Sequence, residues 1–199
     1  MTQTHLYMFA IMPPSELMVT IDNVRKAFSE KYGSKKALKP PVHITIYEPF
    51  HAAEDIERRF LTLDDIIKRQ TPFSIELQDY SFFENPLMKS PVAYIAVKNN
   101  SALTNLQKVV VKEVSRVRKQ SSKSHGFTPH FTMGYRNISW DIFPEIKSDY
   151  LEQTFEASFS CNAIYLWKHD GGNWQILREF KFENDHNEAG NFGQLGLFS

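Results

Sequence analysis

The sequence predicts an α+β protein built from two similar lobes that face a central groove. Three observations carry this reading. The pattern strand–helix–strand–helix–strand occurs twice, and a His-x-Thr tripeptide stands at the equivalent point of each copy. No low-complexity linker separates the copies, so the repeats belong to a single bilobal domain. The chain has 199 residues, 42% of them hydrophobic, enough to build a sizeable core.

The apolar run from His5 to Met12, stopped by Pro13-Pro14, reads as a buried strand. Leu17, Ile21, Val24 and Phe28 follow at helical spacing, with Ser15 as the expected N-cap and Gly33 as the expected stop. Val42 to Glu48 alternates as a second strand. Ile56, Phe60, Leu63 and Ile67 mark a second helix, and Phe73, Ile75 and Leu77 a third strand. The order then recurs. Val92 to Lys98 is a strand, and Leu103, Leu106, Val110, Val114 and Val117 form a helix. Phe131 to Tyr135 is a strand, and Trp140, Phe143 and Ile146 suggest a short helix. Phe155, Ala157, Phe159 and Cys161 alternate in a long strand, and a hairpin through Gly171-Gly172 leads to a last strand around Trp174 and Ile176. The lobe-forming repeats thus cover about 5–83 and 91–182 within a domain at 1–183, and 184–199 form a polar, Gly-rich tail.

Lys+Arg and Asp+Glu both number 23, so the formal net charge is zero. A neutral chain lacks the global field expected of a protein that coats long nucleic acid, but a local site on it can still hold a small or end-bound anion. The one cysteine, Cys161, excludes an intramolecular disulfide and a cysteine-ligated zinc site. Residues 1–14 show no basic start followed by a long apolar run, and no stretch approaches membrane-spanning length. The expectation is a cytoplasmic protein with no membrane partner.

The chemistry lies in the two tripeptides. One copy reads His43-Ile44-Thr45 and the other His130-Phe131-Thr132, 87 positions on; the strands that open the repeats, at Leu6 and Val92, are 86 apart. Residues two apart on a strand share a face, so each His and Thr point one way while Ile44, Ile46, Phe131 and Met133 point into the core. A pseudo-twofold relation brings both His-x-Thr faces to one groove. Two imidazoles flanking a phosphate ester suit phosphoryl transfer: a neutral ring takes a proton and an imidazolium gives one to the leaving oxygen. Histidine populates both forms near neutrality. The Thr45 and Thr132 hydroxyls can hold the non-bridging phosphate oxygens. This scheme requires no metal and no cofactor.

On these residues the chain resembles the 2H (two-histidine) phosphoesterase superfamily, which includes RNA 2′,3′-cyclic phosphodiesterases and proteins described as 2′-5′ RNA ligases. That family carries two His-x-Thr/Ser motifs, each followed by an apolar residue, in a duplicated bilobal fold. Here His-Ile-Thr-Ile at 43–46 and His-Phe-Thr-Met at 130–133 match both, and the resemblance covers about residues 5–182. It implies catalytic His43 and His130, phosphate-binding Thr45 and Thr132, and a nucleotide or RNA-end phosphoester as substrate, cleaved or joined.

Weaker signals surround these. Tyr47 and Arg136 share the parity of the two motifs and are candidates for substrate contact at the groove rim. His51, His125 and His169 fall in expected loops with no acidic or cysteine cluster, so they read as solvated rather than metal-binding. Lys108, Lys112, Arg116, Lys119 and Lys123 make a basic stripe on the second long helix, better explained as a solvated face than as an RNA guide. The tail ends Gln194-Leu195-Gly196-Leu197-Phe198, similar to the pentapeptide that binds the bacterial sliding clamp. Two alternatives to an enzyme therefore stand: a non-catalytic nucleotide or RNA-end binding module, and a clamp-tethered adaptor acting through Gln194, Leu195, Leu197 and Phe198.

Overall fold

The computed structural model describes residues 4–85, 87, 89–119 and 126–184. Lys123, His125 and the clamp-like segment with Gln194, Leu195, Leu197 and Phe198 lie outside the described residues.

The first strand, β1 (Thr4–Ile11), gives way through Pro13-Pro14 to α1 (Ser15–Tyr32). Ser15 is already the first helical residue and makes no cap, contrary to the sequence expectation. Pro14 holds the cap position, and its carbonyl starts the helix by accepting from Met18 N at 2.9 Å. Gly33 ends α1 as expected, with φ 73 and its N–H on Ser29 O, a left-handed conformation that suits a residue without Cβ. A 3-10 turn at Lys35–Leu38 leads into β2 (Ile44–Ala53), which begins one residue after His43. The expected second helix is split into a 3-10 segment, Glu54–Phe60, and α2 (Leu61–Lys68). Then comes β3 (Phe73–Phe83).

The second copy runs β4 (Val92–Val97), α3 (Ser101–Arg118), β5 (His130–Gly134) and α4 (Phe143–Leu151). Both α1 and α3 have 18 residues. Asn100 caps α3: its Oδ1 accepts from Leu103 N at 2.9 Å, and its Nδ2 donates to Ser74 O at 2.7 Å, pinning the helix start to β3.

The alternating stretch after Phe155 is not one long strand. It is β6 (Glu156–Cys161) and β7 (Ala163–His169), separated by Asn162 alone, followed by β8 (Trp174–Lys181). The expected hairpin joins β7 and β8, with Gly171 at φ 101 and Asp170 Oδ1 accepting from the N–H groups of Gly172 and Asn173.

The eight strands of the described residues form one sheet in the order β6-β3-β4-β5-β2-β1-β7-β8. The two motif strands, β2 and β5, are neighbours at its centre, joined at Ile44↔Phe131. Each half of the sheet mixes strands from both sequence repeats, because β3 pairs with β4 and β6 while β7 pairs with β1. One residue spans only about 3.5 Å of chain, yet Asn162 connects the first strand of the order to the seventh. The sheet must therefore curl until its ends approach. Phe182 N donates to Asn162 O at 2.8 Å, and the Phe182 ring stacks on Phe73 at 6.0 Å.

The core fills one face of this curled sheet. Ile44, Ile46, Phe131 and Met133 are at most 2% exposed and pack in one cluster with Phe28 of α1 and Leu103 and Leu106 of α3. The predicted alternation thus holds at both motifs and leaves the His and Thr side chains for the other face. No helix among the described residues is long and apolar enough to cross a membrane.

Candidate active site

A cavity of about 340 Å³ opens where β2 and β5 meet, and His43, Thr45, His130 and Thr132 all line it. The four motif residues, distant in sequence, converge on a single space.

The two imidazoles are held alike. His43 Nδ1 lies 2.7 Å from the carbonyl of Pro41, and His130 Nδ1 lies 2.8 Å from the carbonyl of Thr128. A carbonyl only accepts, so each Nδ1 carries the proton, and in the neutral ring each Nε2 keeps its lone pair. In both copies the partner is the residue two before the histidine, just upstream of the strand. Aromatic rings lie against both: the Trp167 ring is 5.0 Å from His43, tilted by 54°, and Phe83 and Tyr94 are each 5.0 Å from His130, edge-on and tilted respectively. β3 supplies Phe83 and β7 supplies Trp167, the strands that occupy matching places in the two halves of the sheet.

This enclosure sets the protonation states. Burial pushes His43 down to about 4, opposed by its bond to Pro41 and helped by the charges of Arg25 and His130. Burial also lowers His130, opposed by its bond to Thr128. An imidazolium is disfavoured where water is excluded. Each ring keeps partial exposure at the groove, so an anion bound there would favour the protonated form.

Arg25 went unnoticed in the sequence. Its side chain is only 3% exposed, it lines the cavity, and its Nη2 donates to the carbonyls of Ala37 and, at 2.9 Å, Pro40. Burial lowers its pKa, with Asp22 acting against this. The signal was present: Arg25 stands between Ile21 and Phe28 on the buried side of α1, where a cation needs a reason.

Of the two rim candidates, Arg136 lines the cavity and Tyr47 is not among its lining residues. Ala10 pairs with Thr45 and Phe9 with Tyr47, so two steps on β2 match one on β1 and the alternation breaks between them. Tyr47 packs against Phe50, and its hydroxyl accepts from Arg118 of α3 at 3.3 Å. His51 and His169 do not lie in loops: they sit in β2 and at the end of β7, both in register with Leu6 of β1. The basic stripe is exposed on α3 at Lys108, Lys112 and Arg116 and at Lys119 just past its end, and Arg116 is paired with Glu113 at 2.8 Å. Among the described residues, no group of three or more His, Cys, Asp or Glu side chains is placed to hold a metal ion.

Comparison with known proteins agrees with this architecture. E. coli LigT complexed with 3′-AMP superposes with a TM-score of 0.66 at 17% identity, over 90% of this chain and 99% of LigT. TT0787 of Thermus thermophilus gives 0.60 at 16% identity over 89% and 98%, and a structure described as a phosphoesterase gives 0.61 at 15% over 90% and 99%. At such identities the likeness establishes a shared fold. No curated protein matches the sequence. The family model described as the 2′-5′ RNA ligase superfamily matches residues 13–173, most of the chain. The chain therefore belongs to the 2′-5′ RNA ligase superfamily of 2H phosphoesterases.

Proposed function

We propose that this protein is a phosphodiesterase that acts on a 2′,3′-cyclic phosphate or a 2′-5′ phosphodiester of RNA or small nucleotides, with His43 and His130 as a general acid–base pair. The observation that carries this reading is the matched pair of Nδ1 bonds to Pro41 and Thr128, which leaves two Nε2 atoms available in one cavity. The LigT structures with 3′-AMP and with ATP lend support, since a protein of the same fold holds nucleotides.

In hydrolysis, the neutral base takes a proton from water through Nε2, and the water oxygen attacks phosphorus. The P–O bond to the ribose oxygen breaks, and that oxygen receives the Nε2 proton of the opposite imidazolium, leaving a phosphomonoester and a free hydroxyl. Exchange with solvent restores the starting protonation. Thr45 and Thr132 donate to the non-bridging oxygens. His43 suits the base role, because the Arg25 charge adds to burial in keeping it unprotonated; His130 then acts as the acid once the anionic substrate raises its proton affinity.

The test is hydrolysis of nucleoside 2′,3′-cyclic phosphates with chelator present, in wild type, His43→Ala and His130→Ala. Product from wild type and a loss of about 10²–10⁴-fold in each variant supports the pair. Full activity in either variant, or none in wild type on cyclic and 2′-5′ esters alike, overturns it. Which phosphomonoester forms identifies the bond that is cut.

A further inference from the structure

A second cavity, of about 510 Å³, shares the walls Val92, Tyr135 and Arg136 with the histidine groove and adds Lys36, Lys89 and Ser90. Three cations frame it, and no carboxylate among the described residues lines it. On a chain of zero net charge this is a local excess rather than part of a general basic character.

Some lysines of this chain are neutralised by carboxylates and others are not. Lys31, Lys68, Lys98, Lys147 and Lys168 each bind a carboxylate. Among the described residues, none of Lys36, Lys89 and Arg136 has an acidic partner. Arg136 is further distinguished by its backbone, at φ 64, a left-handed conformation that a residue with a Cβ adopts at a cost. Its guanidinium lies 5.3 Å from the Tyr135 ring centroid, and Tyr135 is tied down by its N–H to the Ser34 hydroxyl at 3.2 Å. The turn therefore sets Arg136 at the boundary between the two cavities, where it lines both.

We propose that the cavity framed by Lys36, Lys89 and Arg136 is a second anion subsite, which takes a further phosphate of the substrate held between the histidines. The proposal rests on the reading of the groove given above and narrows it. The preferred substrate carries a phosphate besides the one that reacts, such as the 5′-phosphate of the nucleotide bearing the cyclic ester. Guanidinium and ammonium groups hold phosphate oxygens through charge-assisted bonds. A solvated lysine patch would give no preference between substrates that differ by that phosphate.

Two measurements separate this inference from the reading beneath it. The first compares kcat/KM for a nucleoside 2′,3′-cyclic phosphate with a 5′-hydroxyl and with a 5′-phosphate, in wild type and in Lys36→Ala/Lys89→Ala. The second measures Kd by titration for nucleoside 3′-monophosphate and 3′,5′-bisphosphate in the same proteins. Wild type should favour the doubly phosphorylated ligand by about tenfold or more in both, the value of one charge-assisted contact. In the double variant both ratios should fall toward one. Equal binding of mono- and bisphosphate by wild type, or a preference that survives in the variant, overturns the subsite even if hydrolysis proceeds. Absence of hydrolysis with a preserved binding ratio instead rejects the phosphodiesterase reading and leaves the subsite standing.

Discussion

Arg25 donates from Nη2 to the carbonyl of Pro40 at 2.9 Å, next to the carbonyl of Pro41 that orients His43. A buried cation thus braces the loop that fixes one imidazole, and its charge also holds that imidazole's proton affinity down. Arg25 acts on His43 in two separable ways.

Replacing Arg25 with Met should raise the His43 pKa, readable by NMR titration of the imidazole, and lower kcat. It should also cost stability, about 1–3 kcal/mol for each carbonyl left without a donor. Arg25→Lys keeps the charge but not the planar fork. It should therefore hold the His43 pKa low while failing to restore full activity. A His43 pKa unchanged in Arg25→Met would remove the electrostatic half of this account.

Thr45→Val and Thr132→Val keep side-chain volume and delete the hydroxyl facing the groove. If each hydroxyl donates to the phosphate, each variant should lose about 10–100-fold in kcat/KM, corresponding to one bond to a charged group. Melting temperatures should change little, since both side chains are only partly buried at the cavity wall.

The pH dependence of kcat/KM reports the free protein, where both imidazoles are depressed. The profile should be a bell with its acid limb near 4 and its alkaline limb below the ordinary histidine value of about 6.5. The maximum falls on the acid side of that value whichever ring is the base. The profile of kcat should lie at higher pH, because a bound phosphate raises both rings. The charges of Arg25 and of the partner imidazole oppose protonation of His43 until the anion arrives. A kcat/KM maximum above pH 7 would contradict the depressed values.

The same depression has a sign in stability. Folded His43 binds its proton less tightly than an unfolded imidazole, so the unfolded state takes up more protons between about pH 6.5 and 4. Stability is complete above about 6.5 and declines as pH falls through this window, by at most about 3 kcal/mol from His43. Denaturant melts across that range should show a shallower decline in His43→Ala than in wild type.

Gly134, the last residue of β5, leaves room for the Phe28 ring of α1. A Cβ built there would lie 2.3 Å from Phe28 Cε1, and Phe28 is fully buried against Tyr32 and Tyr150. Gly134→Ala should destabilise the protein by about 1–3 kcal/mol through overpacking. The displaced strand end carries Tyr135 and Arg136, so activity should fall as well. Adding Phe28→Leu should recover part of the lost melting temperature.

Much of this was legible in the residues. The alternation at Ile44, Ile46, Phe131 and Met133 assigned the core face, and therefore the groove face, of both motif strands. The nearly equal offsets of the opening strands and of the His-x-Thr pairs placed the histidines at equivalent points. Tyr47 escaped because period-2 reasoning assumes an unbroken ladder, and the irregularity opposite Phe9 and Ala10 arises from pairing with another strand. Asn162 escaped because an alternating pattern carries through a one-residue break without a Gly or Pro to mark it. Arg25 escaped because a single cation within a helical pattern is usually solvated, and its carbonyl partners lie in a loop 12 to 15 positions away. His51 and His169 were placed in loops because pairing with β1, rather than side-chain alternation, extends their strands.

The one-residue link at Asn162 makes the two sequence repeats interdependent. A break between β3 and β4 would leave β3 without either strand it pairs with, since both belong to the other fragment, and would leave β7 without β1. Neither fragment would carry a closed core, so the pieces could fold only by complementing each other. The arrangement is that of a domain-swapped dimer fused into one chain, the first copy lending β3 to the other and the second lending β7. Because the exchanged strands bring Phe83 and Trp167 against the two imidazoles, each imidazole is contacted by a ring of the opposite repeat, and the groove comes into being only when the swap is complete.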